Sequence, residues 1–302
     1  MLRPVQAPCP RMGLRDNRRF AFPSLTPRTM TDRYAVIGNP IGHSKSPLIH
    51  AAFALATGQD IEYTAIEGPL DGFKATVEAF IAAGGRGMNV TIPFKLQAFE
   101  IATDPMESAR LAGAVNALKF EGGRIFAQNF DGLGLVNDIQ RNLGVSLAGK
   151  RVLICGAGGA TRGAILPIAA QKPALIAIAN RSADKAHGLK RDFAAHATLQ
   201  TGGYEELAGE RFDVVLNATS TGLSQADLPL AASAFAPGAL AYELVYGKGL
   251  TPFLKQAQAA GVQNIADGVG MLVEQAAEAF EWWRGVRPDT QPVIARFTIP
   301  LV

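Results

Sequence analysis

The segment RVLICGAGGAT, residues 151–161, joins an apolar run to a cluster of glycines. The run is typical of a buried strand in a parallel sheet. Glycines after such a strand allow a tight turn and bring backbone N–H groups close to a pyrophosphate, whose charge the following helix N-terminus stabilises. A glycine-rich packing turn is the alternative, and the third fingerprint position is Thr161 rather than glycine. Because a strand precedes the glycines and a helical pattern follows them, we predict a dinucleotide-binding loop. Its binding residues are Gly156, Ala157, Gly158, Gly159 and Ala160.

Strands and helices alternate on both sides of this loop. Downstream, apolar runs at 174–179, 213–217 and 239–244 are separated by helical patterns, which predicts a doubly wound, Rossmann-type sheet. Upstream, strands are predicted at 34–38, 61–66 and 87–92, with helices at 47–57 and 70–83 between them. Residues 114–120 and 124–128 flank a Gly-Gly turn and predict a hairpin, and helices are predicted at 131–143 and 268–284.

These patterns predict an α/β protein of two domains. The first is an N-terminal α/β substrate-binding and catalytic domain, residues 31–129, completed by residues 268–302. The second is a doubly wound nucleotide-binding domain, residues 130–267. We interpret residues 1–30 as a disordered basic tail or as the result of an upstream start codon chosen in place of Met30, and we favour a targeting peptide less.

Composition excludes several classes of protein. The 302 residues are 48% apolar and 18% charged, and no run approaches the ~18 apolar residues of a membrane span. The formal charge is +3, but residues 1–29 hold six arginines and one aspartate, so the rest of the chain carries −2, the difference between +3 and +5. We therefore expect no nucleic-acid partner and no membrane partner. Two cysteines and four scattered histidines predict no disulfide framework and no metal, which fits a cytoplasmic enzyme.

The residues after the second strand of the doubly wound sheet indicate which dinucleotide binds. NAD-binding proteins usually have an acidic residue there, which binds the ribose 2′-OH. This chain instead has Asn180, Arg181 and Ser182, with Lys185 one helical turn beyond Arg181. Two cations and a hydroxyl suit a 2′-phosphate, and positive side chains at a helix N-terminus are otherwise unfavourable. A solvated helix start is the alternative, and we predict NADP(H) as the cofactor.

Residues 89–95, NVTIPFK, place polar side chains around a short strand that ends in a lysine. Pro93 cannot continue a sheet, so we expect a helix to open near Lys95. A lone lysine is most often a solvated surface residue. Further polar groups occur at Ser44 and Ser46 just before a predicted helix, where they are suited to bind a carboxylate, although Ser46 also suits a helix cap.

The ordered motifs of this chain resemble those of the shikimate dehydrogenases. The resemblance runs from Arg33 to about Ile294. It comprises GNP at 38–40, SKS at 44–46, NVTIPFK at 89–95, GAVN at 113–116, NFDG at 129–132, the glycine loop, NATS at 217–220, KGLTP at 248–252 and DGVGM at 267–271.

The resemblance implies an oxidoreductase of the shikimate pathway, which leads to chorismate and the aromatic amino acids. The implied reaction is the reversible, NADPH-dependent reduction of 3-dehydroshikimate to shikimate. Lys95 and Asp131 would form the catalytic pair, in which a carboxylate orients a lysine that donates the proton. The implied substrate-binding residues are Ser44, Ser46, Asn89, Thr91, Asn116, Tyr246 and Gln275. Thr219, Gly268 and Met271 would lie beside the cofactor.

Three residues depart from the usual pattern of the family. Phe130 and Ala117 occupy positions where threonine is usual, and Glu243 occupies one where aspartate is common. Phe130 replaces a hydroxyl by a bulky ring beside Asp131, so we expect an effect on substrate preference and rate.

Three alternatives stay open: an NAD-dependent quinate/shikimate dehydrogenase, a paralogue acting on a related cyclohexene carboxylate, and a non-catalytic NADP-binding regulator. Arg181 and Lys185 argue against NAD, and the presence of both Lys95 and Asp131 argues against a regulator. The sequence also leaves monomer and homodimer open.

Overall fold

The computed structural model describes residues 31–219 and 227–301. The interpretation of residues 1–30 as a tail, and Ser220 of the NATS motif, lie outside the described residues. Residues 31–302 form one compact unit, which contains two separate sheets. The domain limits predicted above stay a prediction.

The first sheet is mixed and carries the substrate side of the molecule. Its strands are β1 (Asp32–Gly38), β2 (Ile61–Glu67), β3 (Gly85–Val90), β4 (Asp104–Pro105), β5 (Ala117–Glu121) and β6 (Arg124–Gln128), in the order β2-β1-β3-β5-β6-β4. Strand β5 runs antiparallel to both β3 and β6, and the other pairs are parallel. The predicted hairpin turns at Gly122 and Gly123, which both have positive φ. The helices of this half are α1 (Ser46–Thr57), α2 (Phe73–Ala82), α3 (Lys95–Ile101) and α4 (Glu107–Ala112).

The second sheet is parallel throughout and confirms the predicted doubly wound fold. Its strands are β7 (Arg151–Cys155), β8 (Leu175–Ala179), β9 (Leu199–Gly202), β10 (Phe212–Asn217), β11 (Phe235–Glu243) and β12 (Asn264–Ala266), in the order β12-β11-β10-β7-β8-β9. From β7 the chain adds β8 and β9 on one side of the sheet and then β10, β11 and β12 on the other side. Folds of this type bind dinucleotides at such a point of reversal in strand order. The helices α6 (Gly159–Ala169), α7 (Ala183–Asp192) and α8 (Pro252–Ala259) accompany this sheet.

Both faces of the second sheet are buried, which explains the continuous apolar run from which the fold was predicted. Val152 and Ile154 belong to one core cluster, whereas Leu153 and Cys155 belong to the cluster on the opposite face. Successive side chains of a strand point to opposite faces, so a strand covered on both sides must be apolar at every position.

Two helices connect the halves and fix the position of Asp131. They are α5 (Asp131–Asn137) and α9 (Val269–Arg284), and α10 (Gln291–Phe297) follows α9. The helix predicted at 131–143 changes at Asp138 into a π-helical turn, Asp138–Asn142. A Cβ atom at Gly132 would lie 2.1 Å from Gly163 O, and one at Gly134 would lie 2.7 Å from the Gln275 backbone nitrogen. Only glycine therefore allows α5 to pack so closely against α6 and α9.

Candidate active site

A single cleft of about 190 Å³ collects the predicted catalytic and substrate-binding residues. It is lined by all nine of them: Ser44, Ser46, Asn89, Thr91, Lys95, Asn116, Asp131, Tyr246 and Gln275. Gly268 and Met271, predicted to lie beside the cofactor, line the same cleft. Folding thus brings together side chains that are up to 231 positions apart, from Ser44 to Gln275.

Lys95 and Asp131 form an ion pair inside this cleft. Each is the first residue of a helix, Lys95 of α3 and Asp131 of α5. Lys95 Nζ donates a hydrogen bond to Asp131 Oδ2 at 2.5 Å, and the two side chains are 29% and 17% exposed. The alternative of a solvated surface lysine does not describe this side chain, because most of it is covered and its ammonium group is paired.

Asn116 and Asn129 hold Asp131 in place. Asn116 Nδ2 donates to Asp131 Oδ1 at 2.8 Å, and Asn116 Oδ1 accepts the Phe130 N–H at 2.8 Å. Asn129 Oδ1 accepts the Asp131 N–H at 3.1 Å. One carboxylate oxygen is therefore bound to Asn116, and the other is left to Lys95. The sequence placed Asn129 in a motif, but its support of Asp131 was not predicted.

The strand face of the cleft carries Asn89 and Thr91. Asn89 lies in β3, Thr91 follows the last residue of that strand, and both line the cleft, as expected for residues two positions apart. Asn89 Nδ2 donates to Asn116 O at 3.1 Å, and its Oδ1 accepts a hydrogen bond from the Tyr63 hydroxyl at 2.7 Å. Tyr63 was not predicted, because nothing in the sequence distinguishes it from an ordinary strand residue.

The two serines lie at the start of α1. The prediction that Ser46 caps this helix is wrong: the helix begins at Ser46, Lys45 precedes it, and no side chain caps by the usual hydrogen bond. Instead Ser44 Oγ accepts the Ser46 N–H at 3.3 Å, so the earlier serine satisfies the first exposed N–H group. His43, which the sequence did not single out, also lines the cleft.

Phe130 does not add bulk to the cleft, contrary to the expectation from its position beside Asp131. Its ring is 4% exposed and packs edge-on against Trp282, with the ring centroids 5.7 Å apart. Ala117 belongs to the same buried cluster. The two positions that depart from threonine therefore both contribute to one buried apolar cluster.

Glu243 has a structural role at the end of β11. It is fully buried, and its Oε2 accepts hydrogen bonds from Asn217 Nδ2 at 2.8 Å and Thr251 Oγ1 at 3.0 Å. Burial raises the pKa of this carboxyl above its ordinary value. Glu243 therefore ties the last residue of β10 to the N-terminus of α8 and lies outside the cleft lining.

The glycine loop presents backbone to open space. Gly156 has a φ of +107°, which favours glycine, and a Cβ atom there would lie 3.0 Å from Thr219 Cγ2. Among the described residues, a Cβ atom at Gly158 or Gly159 would meet nothing within 4 Å, so these residues leave room in front of the α6 N-terminus. Thr161, the departure from the fingerprint, is fully buried and donates to Gly156 O at 2.8 Å. The Thr161 hydroxyl therefore links the two ends of the glycine loop by a buried hydrogen bond.

The predicted 2′-phosphate residues lie at the start of α7. This helix begins at Ala183, so Arg181 and Ser182 precede it and Lys185 lies in its first turn. Arg181 and Lys185 are exposed, and Asn180 Nδ2 donates to Ser182 O at 2.9 Å. Within residues 31–219 and 227–301, neither Arg181 nor Lys185 forms a side-chain hydrogen bond or ion pair. Open space at the glycine loop and two unpaired cations fit a dinucleotide that carries a 2′-phosphate.

Met271 and Gly268 lie where the two halves meet at the cleft. The Met271 N–H donates to the Tyr242 hydroxyl at 3.3 Å, and that hydroxyl donates to Asp138 Oδ2 at 2.6 Å. Burial raises the pKa of Asp138 above its ordinary value. These two buried hydrogen bonds fix the start of α9 against β11 and the π-helical turn.

In the part of the chain that the structure describes, no acidic, histidine or cysteine cluster could hold a metal ion, and no helix is long and apolar enough to cross a membrane.

Three family descriptions match consecutive parts of the chain. Residues 36–118 match the shikimate dehydrogenase substrate binding domain, residues 138–225 match shikimate / quinate 5-dehydrogenase, and residues 268–296 match the shikimate 5'-dehydrogenase C-terminal domain. These ranges include Lys95 in the first, the glycine loop in the second and Gln275 in the third.

Similar proteins cover nearly the same part of the chain. A shikimate dehydrogenase (NADP(+)) of Dechloromonas aromatica is 56% identical over 273 residues, which are 90% of this chain and 100% of the relative. The crystal structure of an Ael1 enzyme from Pseudomonas putida is 57% identical, with a TM-score of 0.86, and the match covers 90% of this chain and 100% of that chain. Shikimate 5-dehydrogenase from Thermus thermophilus, in complex with NADP(H) and shikimate, is 30% identical, with a TM-score of 0.78 and coverage of 88% and 100%.

Proposed function

We infer, because this chain belongs to the shikimate dehydrogenase family, that it catalyses the reversible, NADPH-dependent reduction of 3-dehydroshikimate to shikimate. This reaction belongs to the shikimate pathway of chorismate and aromatic amino-acid biosynthesis. The observation that carries the assignment of residues is the Lys95–Asp131 ion pair, 2.5 Å long, in a cleft lined by all the predicted substrate-binding residues.

We propose that Lys95 supplies the proton. NADPH, when bound, would supply a hydride to the carbonyl carbon. Charge then develops on the carbonyl oxygen, and the Lys95 ammonium stabilises it and donates a proton to form the hydroxyl. Asp131 accepts a hydrogen bond from this ammonium and balances its charge. Oxidation of shikimate uses the same groups in reverse, with Lys95 accepting the hydroxyl proton.

The remaining cleft residues are suited to hold a cyclic acid that bears hydroxyl groups. Ser44 and Ser46, at the start of α1, offer hydroxyl donors for the carboxylate. Asn89, Thr91 and Gln275 offer donors and acceptors for the ring hydroxyls. Asn116 contributes to binding and also fixes Asp131, so its removal would affect both.

NADP(H) fits the residues of the second sheet. The backbone of Gly158 and Gly159 and the N-terminus of α6 would hold the pyrophosphate, and Arg181 and Lys185 would hold the 2′-phosphate. Thr219 lies against the glycine loop, and Met271 and Gly268 would face the nicotinamide. A cofactor without the 2′-phosphate would leave both cations without a partner, which favours NADP over NAD.

An assay of purified protein tests this assignment. Shikimate and quinate are each offered with NADP⁺ and with NAD⁺, and cofactor reduction is followed for the wild type and for Lys95→Ala. We expect the fastest turnover with shikimate and NADP⁺, and a loss in kcat of ~10²-fold or more for Lys95→Ala, the amount that a positioned proton donor supplies. Lys74→Ala is the matched control, because Lys74 is 72% exposed and its ion pair with Glu78 is 3.9 Å long.

Each alternative has its own outcome in this assay. Faster turnover with quinate and NAD⁺ would favour the quinate/shikimate dehydrogenase. Turnover of neither acid, together with binding of NADP⁺, would favour the regulator or a paralogue with another cyclohexene acid. Near-normal turnover by Lys95→Ala would remove Lys95 from the catalytic role and leave the reaction itself in place.

We also propose that the enzyme acts in the cytoplasm, because the buried Cys155 is a free thiol and the reaction is biosynthetic. Monomer and homodimer stay alternative predictions, which analytical ultracentrifugation of the purified protein distinguishes.

A further inference from the structure

Tyr63 lies behind one of the amides that line the cleft. Its hydroxyl donates to Asn89 Oδ1 at 2.7 Å, but Tyr63 does not itself line the cleft. Tyr63 lies on β2 and Asn89 on β3, and β1 separates the two strands. Tyr34 of β1 is the register partner of Tyr63, and Val36 of β1 is the partner of Asn89. Neighbouring strands are about 4.8 Å apart, so the phenol reaches across one whole strand.

Two bonds determine which way the Asn89 amide faces. Its oxygen accepts from Tyr63, and its nitrogen donates to Asn116 O at 3.1 Å. An amide rotated by 180° would place its oxygen against another carbonyl oxygen. One N–H of the amide and one oxygen lone pair, which the His50 ring also approaches, remain after these bonds, and Asn89 lines the cleft, where they can meet a substrate hydroxyl.

His50 holds the plane of the Tyr63 ring. The two rings are parallel within 6°, and their centroids are 4.1 Å apart. His50 is fully buried beside Phe53, Phe280 and Trp283, and neither ring nitrogen has a hydrogen-bond partner of good geometry among the described residues. Burial lowers the pKa of His50 to about 3, an effect that the nearby Asn89 amide partly offsets, so the ring is neutral. Burial also raises the pKa of Tyr63 well above its ordinary value, which keeps its hydroxyl a donor.

We infer that Tyr63 is a positioning residue for the reduction, which acts on the substrate through the Asn89 amide without touching the substrate. The inference rests on the proposed function, because Asn89 needs a substrate hydroxyl to bind. Tyr63 selects the rotamer of Asn89 that offers one donor and one acceptor to a ring hydroxyl, and the neutral His50 ring keeps the phenol in line with the amide. Positioning of this kind contributes to substrate binding more than to proton transfer.

Tyr63→Phe removes the hydroxyl and keeps the ring. We expect KM for shikimate to rise about 5–10-fold, the effect of one lost hydrogen bond, while kcat stays within about 2-fold. KM for NADP⁺ should not change. Tyr34→Phe is the matched control, because Tyr34 is the register partner of Tyr63 on β1, does not line the cleft, and stacks on Trp283 with the ring centroids 4.8 Å apart. Thermal unfolding of each variant checks that the fold is kept.

A double-mutant cycle with Asn89→Ala separates positioning from a structural role. If Tyr63 acts through Asn89, Tyr63→Phe will raise KM in the wild type and leave it unchanged in the Asn89→Ala background. An equal rise in both backgrounds, or a Tyr63→Phe variant that behaves like Tyr34→Phe, would overturn the inference while the enzyme remains active. A wild type that turns over no shikimate would instead remove the proposed function, and this inference with it.

Discussion

Two regions of the molecule differ in how their polar side chains are held: the lining of the cleft, here called the substrate wall, and the glycine loop with the start of α7, here called the cofactor wall. On the substrate wall, Lys95, Asp131 and Asn116 are joined by hydrogen bonds of 2.5 and 2.8 Å, and Asn89 extends the network to Tyr63. On the cofactor wall, Arg181 and Lys185 have no hydrogen-bond or ion-pair partner within the described ranges, and no residue of those ranges lies within 4 Å of a Cβ atom placed at Gly158 or Gly159. The substrate wall is bonded within the protein itself, whereas the cofactor wall offers donors and positive charge to a ligand.

This difference separates residues that serve both folding and function from residues that serve binding alone. A buried group that loses its hydrogen-bond partner destabilises the protein, so changes on the substrate wall should affect stability together with turnover. An exposed cation without a partner contributes little to stability. Changes at Arg181 or Lys185 should therefore affect the binding of NADP(H) and leave unfolding unchanged. The largest effects are expected on the substrate wall.

Asp131→Asn should have the largest effect. It keeps the shape of the side chain, but an amide N–H2 facing the Lys95 ammonium would repel it, so we expect kcat with shikimate to fall by about 10²-fold or more. Steady-state kinetics with NADP⁺ measures the loss. Asp71→Asn, at an exposed carboxylate outside the cleft, is the control and should retain wild-type kcat. Equal kcat values for the two variants would contradict the role of the pair.

Phe130→Thr tests the packing that supports Asp131. It removes a ring that is 4% exposed and should lower the free energy of unfolding by about 3 kcal/mol, as large-to-small core substitutions do. Chemical denaturation measures the loss. Because Ala117 lies in the same cluster, the double variant Ala117→Thr/Phe130→Thr should lose less than the sum of the single variants. Strict additivity would show that the two positions do not form one packing unit.

His50 should make the substrate wall sensitive to acid. Its pKa is about 3 in the folded protein and about 6.5 when unfolded, so the unfolded state binds more protons between these values. The contribution of His50 to the free energy of unfolding is fully present above about pH 6.5 and is lost as the pH falls towards about 3. At pH 5 the loss should be about 2 kcal/mol relative to pH 7. His50→Phe, which retains a ring beside Tyr63, should reduce the pH dependence of the free energy of unfolding by that amount. An unchanged dependence would contradict a buried, neutral His50.

Arg181→Ala tests the cofactor wall. We expect KM for NADP⁺ to rise about 10-fold, the effect of losing one charged hydrogen bond to phosphate, with kcat and the melting temperature unchanged. KM for NAD⁺ should stay the same, since NAD⁺ lacks the 2′-phosphate. Lys190→Ala, in the last turn of the same helix, is the control. Equal rises in KM for NADP⁺ and NAD⁺ would place Arg181 outside the 2′-phosphate site.

Much of the fold followed from local patterns, and the failures were at places where distant residues decide. The strands of the second sheet were predicted because burial on both faces leaves an apolar run that is visible in sequence, as in Val152 to Cys155. The π-helical turn at Asp138 was not predicted, because its hydrogen bonds to Tyr242 and Asn142 come from tertiary packing as well as from local sequence. Likewise, the direction of the Phe130 ring depends on Trp282, 152 positions away.

The sequence alone determined the alternation of strands and helices, the glycine loop and the set of polar residues in the family motifs, because each depends on neighbouring residues or on a motif. The pairing of Lys95 with Asp131 was expected from the family resemblance, and the tertiary structure supplies its geometry. Only the tertiary structure decided that Asn116 fixes the second carboxylate oxygen and that Tyr63 supports Asn89. These contacts join residues far apart in the chain, and their geometry depends on strand order and on the close approach of α5 to α6 and α9. No local pattern records such distances.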